Sequence, residues 1–103
     1  MKKARVFVDG TEAGELQEIE HNKKYRFIYL DGYIGPSVSL LMPINQRVYD
    51  YDKFPSFFEG LLPEGMMLEG LLRQSKIDRH DLFSQLIVVG GDMVGNVTVE
   101  EIP

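Results

Sequence analysis

The stretch Lys53-Phe-Pro-Ser-Phe-Phe-Glu-Gly-Leu-Leu-Pro-Glu-Gly-Met66 is the densest apolar run in the chain, and prolines and glycines punctuate it. Phe54, Phe57, Phe58, Leu61 and Leu62 recur at i, i+3, i+4, i+7 and i+8. That spacing predicts one apolar face of a short helix. Pro55 fits a first helical turn, where its missing N–H is not needed. Pro63 ends the element, because the residue before a proline is pushed out of the α region. Glu64 then opens a second helix with its carboxylate near the positive end of the dipole. Two readings follow. The aromatic residues are core, as the usual burial ranking implies. The Leu62–Met67 elbow is a rigid projection that touches a partner. Both hold if the phenylalanines point inward and the elbow outward.

Upstream, Ala4–Val8 reads as a strand by alternation and β-propensity. Asp9-Gly10 signals a turn and Gly14 a second bend. Leu16 and Ile19 belong to a return strand set in a polar stretch. His21–Lys24 is a polar turn, Tyr25–Leu30 a strand closed by Asp31-Gly32, and Ser37–Met42 a further strand bracketed by Pro36 and Pro43. The first forty residues therefore read as an antiparallel meander. Asn45–Lys53 is either a short strand or an extended linker.

Downstream, a helix is expected from about Glu64 to Gln74, with Met67, Leu68, Leu71 and Leu72 as a narrow apolar stripe. Gly70 inside it costs roughly 1 kcal/mol relative to alanine, which suggests close packing against a neighbour. A third helix is expected from Arg79 to Val88. Asp78 is its N-cap, Asp81 sits three residues on as a loose capping box, and Leu82, Phe83, Leu86 and Ile87 form its buried face. Gly90-Gly91 stops it, and Val94–Ile102 is a last strand that returns to the sheet. The fold class expected is α+β: a small, mainly antiparallel sheet with two to three packed helices, in one domain over residues 1–103.

Composition narrows the function. A chain of 103 residues suits one domain, and 44% hydrophobic residues are enough for a real core. A formal net charge of −5 argues against a large phosphate-contacting surface of its own. With no cysteine, disulfides and thiolate metal sites are impossible. Met-Lys-Lys-Ala-Arg is basic, but no apolar segment of a signal peptide follows it. No apolar run reaches membrane-spanning length. A cytoplasmic setting is expected.

The search for chemistry is mostly negative. Gly90 and Gly95 have the spacing of phosphate-loop glycines. Yet Asn96-Val97 stands where Lys-Ser/Thr belongs, and the order is helix–loop–strand. A helix stop and a turn using positive φ is the better reading. Neither G-x-G-x-x-G nor G-x-S-x-G occurs. Glu18 and His21 have a spacing that metals use, but two ligands in a turn are too few. His80 beside Asp81 has no second histidine near it in sequence. Asp50 and Asp52 read as a solvated face rather than an acid–base pair. No catalytic, cofactor-binding or metal-binding residue is assigned, and no cofactor is expected. What remains is methionine and aromatic content at a defined elbow, and both mark contact surfaces.

Four blocks then carry a resemblance. They are Ser37-Val-Ser-Leu-Leu-Met-Pro43, Phe57-Phe-Glu-Gly-Leu-Leu-Pro-Glu-Gly65, Asp81-Leu-Phe83, and Gly91-Asp-Met-Val-Gly95 followed by Val97. In order and spacing they resemble the N-terminal subdomain of HipA-type serine/threonine kinases, the toxins of bacterial toxin–antitoxin systems. Those kinases continue for some three hundred residues into the ATP site, whereas this sequence stops at Pro103. It is thus similar to the free-standing HipS antitoxins of three-gene HipBST systems, in which the HipT kinase lacks this subdomain. The resemblance implies a non-enzymatic antitoxin that inhibits a HipT-like kinase in trans, with a HipB-like helix-turn-helix protein completing the complex. It implies no nucleic-acid or membrane contact of its own.

The resemblance also implies that the elbow around Glu59–Met67 lies toward the kinase cleft. Met66 would be inserted, with Glu64 and Met67 as flanking contacts. The family often has Trp where this chain has Met66. Methionine fills a pocket with less area and no indole N–H donor. The alternative is a non-inhibitory subunit that completes the kinase and bridges it to the repressor. A third reading is an orphan remnant.

Overall fold

The computed structural model describes residues 1–91 and 95–103. Among these residues, five strands form one antiparallel sheet in the order β4-β3-β2-β1-β5. They are β1 (Lys2–Val8), β2 (Thr11–Glu20), β3 (Lys24–Tyr29), β4 (Val48–Tyr51) and β5 (Val97–Ile102). Three helices, α1 (Ser56–Glu59), α2 (Gly65–Ser75) and α3 (Leu82–Val89), lie between β4 and β5 in sequence. This is the expected α+β class.

Alternation sorts the sheet into two faces. Ala4, Val6, Val8, Leu16, Tyr25, Phe27, Tyr29, Val97 and Val99 are buried on one face, where Phe54, Phe58, Phe83 and Leu86 close over them. The opposite face carries interspersed charges: Arg5 approaches Glu12 and Glu100 at 3.9 Å, and Arg26 meets Asp50 at 2.6 Å. Asp50 is thus held by a cation, and Asp52 is exposed beyond the end of β4. Asp9 (φ 50°) and Gly10 (φ 81°) supply the consecutive positive φ values of a two-residue hairpin turn.

Several expectations need correction. Gly14 makes no bend. It sits inside β2 beside a bulge, where Ala13 and Gly14 are both buried and the β1–β2 register shifts. A Cβ there would lie 2.4 Å from the Ile28 carbonyl oxygen, so glycine is needed for close strand approach. Ser37–Met42 is not a strand. Val38 and Met42 are buried, but only one isolated bridge, Ser39 with Met42, closes a turn between them. Of the Phe54–Leu62 periodicity, only Ser56–Glu59 is α-helical. The chain continues through tighter hydrogen bonds, Leu61 N–H to Phe58 O and Leu62 N–H to Glu59 O.

The third helix also starts later than expected. Asp81, not Asp78, is its N-cap and accepts from the Ser84 N–H at 3.1 Å. Asp78 instead accepts from the His80 N–H in the preceding turn. Gly70 has open space around it, so no neighbour requires it. Gly90 is right-handed helical, and close packing is what excludes a side chain there: a Cβ would meet the Val99 oxygen at 2.3 Å. Val94, the expected start of the last strand, and the Asp-Met-Val portion of the Gly91–Gly95 block lie outside the described residues. Among the described residues, no helix is long and apolar enough to cross a membrane.

Candidate partner interface

The elbow is built from inside outward. Tyr25 meets Phe54 edge-on with centroids 5.2 Å apart, Phe58 lies 6.2 Å from Phe27, and Phe57 packs edge-on against Phe58 at 5.2 Å. Leu61 and Leu62 pack on the same core. The α1 turn is therefore held by large aromatic surfaces that fix its direction. After Pro63 the backbone is extended at Glu64 (φ −128°, ψ 165°), and then Gly65 takes φ 59° as α2 begins. That reversal turns the chain outward, and Gly65 is the one residue type that takes this φ without strain.

Met66 is 91% exposed and Met67 76% exposed. Glu64 is exposed at the N-cap position, and its side chain makes no capping hydrogen bond. Glu64, Met66 and Met67 all lie exposed at one helix entry. The expected apolar stripe on α2 is covered only in part: Met67 is exposed, Leu68, Leu71 and Leu72 are half-buried, and no residue of α2 is buried. The helix lies against α3. Glu69 pairs with Arg79 at 2.6 Å across the connecting turn. Gln85 donates to the carbonyls of Arg79 and Asp78 from a buried position.

A polar knot beside Tyr25 was only half visible in the sequence. Glu18, buried on the sheet, lies 3.1 Å from His21 Nδ1 and accepts from the Asn22 N–H. Asp81, distant in sequence, brings a third side chain, so that one ligand atom from each residue lies within 4.8 Å of the others. Asp81 is already engaged: it caps Ser84 and meets Lys2 Nζ at 3.5 Å. Burial raises the Asp81 pKa, but the Ser84 hydrogen bonds and Lys2 outweigh it, and the carboxyl is held below its ordinary value. Burial, then the charges of Glu18 and Asp81, push the Tyr25 phenol up to about 12. The β2–β3 turn thus lies beside the start of α3, and the bonds that tie α3 to the sheet here run from Lys2 Nζ to Asp81 and Ser84.

The HipA N-terminal domain family matches residues 4–100. The chain belongs to that family. It is 31% identical over 101 residues to an uncharacterized protein of Haemophilus influenzae (strain ATCC 51907 / DSM 11121 / KW20 / Rd), covering 98% of this chain and 93% of the relative. It is also similar to a solved structure, the N-terminal domain of HipA toxin. There the TM-score is 0.78 and the identity 29%, over 100% of this chain and 94% of that one. As a HipA-family chain it is a component of the toxin–antitoxin class, and it has the HipA N-terminal fold rather than the kinase fold that holds the active site.

Proposed function

We propose that this chain is a HipS-type antitoxin that binds a HipT-like serine/threonine kinase in trans and inhibits it through the Glu59–Met67 elbow. The carrying observation is Met66, 91% exposed on a helix entry that a buried aromatic cluster holds in place. A rigid support leaves little backbone to order on binding, and the flexible thioether of methionine adapts to the shape of a partner pocket. Phosphoryl transfer depends on positioned groups and on lobe closure. A thioether wedged into the cleft would prevent both, and Glu64 and Met67 would flank it. The net charge of −5 would steer encounter with a basic kinase surface.

On this reading the chain is not itself an enzyme. It works in the cytoplasm, and a HipB-like helix-turn-helix protein supplies DNA binding to the complex. The test is phosphorylation by the HipT-like kinase from the same genome, with and without this chain at equal concentration, beside size-exclusion of the mixture. Co-elution with loss of activity is the expected result. Co-elution with full activity would replace inhibition by the bridging-subunit role, and operator binding would then be the readout.

A further inference from the structure

The connection from β3 to β4 carries a feature that the elbow does not use. Ser39–Met42 is a tight turn closed by Met42 N–H to Ser39 O at 3.0 Å, with Ser39 Oγ accepting from the Leu41 N–H. Its two central residues are Leu40, 99% exposed, and Leu41, 71% exposed. Central turn positions favour glycine, asparagine, aspartate and proline, for conformational reasons. Two adjacent, uncovered leucines there serve neither the turn nor the core.

The turn is also held firmly. Tyr29 Oη accepts from the Val38 N–H at 2.9 Å and donates to the Met42 carbonyl. Tyr49 Oη donates to the Pro43 carbonyl, and Ser37 Oγ accepts from the Ile44 N–H. Both ends are thereby fixed in the core, so the leucines project from a fixed base rather than a loose loop.

We propose that the Leu40–Leu41 turn is a second anchor on the same kinase, seated in an apolar depression rimmed by basic side chains. This rests on the reading that the chain binds a HipT-like kinase, and it extends that interface beyond the elbow. Two observations select the occupant. First, the base of the turn is continuous with the elbow's support. Tyr33 stacks on Tyr29 at 6.0 Å, Tyr29 meets Phe27 at 4.8 Å, and Phe27 leads through Phe58 to Phe57. One rigid aromatic row thus carries both projections, and a single body docking at the elbow meets the turn at a fixed offset. Second, two exposed carboxylates stand at the loop's root. An open cleft of about 520 Å³ there is lined by Asp9, Asp31 and the exposed Ile34 among others. Among the described residues, neither aspartate has an ion pair. The nearby Arg47 Nη1 bonds the Tyr33 carbonyl at 3.1 Å, and Glu12 of the same cleft pairs with Arg5. A covering surface that is apolar at the leucines and basic at the cleft satisfies both.

The test is calorimetric titration of the HipT-like kinase with the full chain, its Leu40→Ser/Leu41→Ser variant and its Asp31→Lys variant, alongside the phosphorylation assay. Every substituted side chain is exposed, and unchanged melting curves verify folding. The double variant is expected to bind at least about tenfold more weakly, the loss typical of a buried anchor, and to inhibit fully once saturating. Asp31→Lys is expected to weaken binding mainly at low salt. Wild-type affinity in both variants overturns the proposal. So does a free wild-type dimer that the double variant converts to monomer in sedimentation, since the turn would then serve a second copy of this chain. If the wild type binds without inhibiting and the double variant still binds weakly, the elbow reading falls and this anchor stands. Full inhibition by both variants at unchanged affinity does the reverse.

Discussion

The sheet and α2 use apolar residues in opposite ways. On β1, β2 and β3, side chains facing the helices are buried, down to a glycine whose missing Cβ lets two strands close up. On α2, residues of the same apolar character are half-buried at best, and the two methionines at its entry stand in solvent. The first region spends its hydrophobicity on the fold. The second withholds it, and an apolar surface withheld beside a rigid core is available to a partner.

Breaking the first region should have the largest effect. Phe58→Ala removes a fully buried ring from the aromatic row and should cost about 3–5 kcal/mol. Against a typical total of roughly 5–15 kcal/mol, urea unfolding should show a folded state close to its limit. Tyr29→Phe should cost about 1–3 kcal/mol, because it leaves the Val38 N–H without its partner in a buried place. Hydrogen exchange at Val38 should accelerate more than exchange in β1. A variant with unchanged exchange there would break the claim that the Leu40–Leu41 turn is rigidly based.

Asp81→Ala should cost about 1 kcal/mol at neutral pH, as loss of a helix N-cap does. The sign of its pH dependence follows from the lowered pKa. The carboxylate contributes stability above its unfolded value, and that contribution is lost as pH falls through the folded value. Wild type and variant should therefore converge in acid, which chemical unfolding across that range would show. The smallest effect is expected at the far end of α2. Lys76 adopts φ 54° there, and Lys76→Gly should relieve up to about 1 kcal/mol of left-handed strain, raising the urea midpoint slightly without touching binding.

The contrast also explains what could be read in advance. β1, β3, the Asp9-Gly10 turn and α3's buried face were legible because alternation and helical spacing report burial directly. The elbow was legible through Pro63, which restricts the residue before it whatever surrounds it, whereas the positive φ of Gly65 came only with the structure. The Ser37–Met42 segment misled because Val38 and Met42 are indeed core, and β-propensity cannot distinguish a strand from two anchors around an exposed turn. Gly14 and Gly90 misled for a related reason: a glycine that admits a neighbouring backbone looks, in sequence, like one that bends its own. Asp81 beside Glu18 and His21 was illegible, since only the packing of α3 on the sheet brings it there.

The most direct measurement is the phosphorylation activity of the HipT-like kinase titrated with wild-type chain and with Met66→Asp. Met66 is too exposed for the change to affect folding by more than about 0.5 kcal/mol. The account predicts that wild type abolishes activity at stoichiometric concentration, whereas Met66→Asp, equally well folded, leaves the kinase active. Full inhibition by a folded Met66→Asp chain would contradict it.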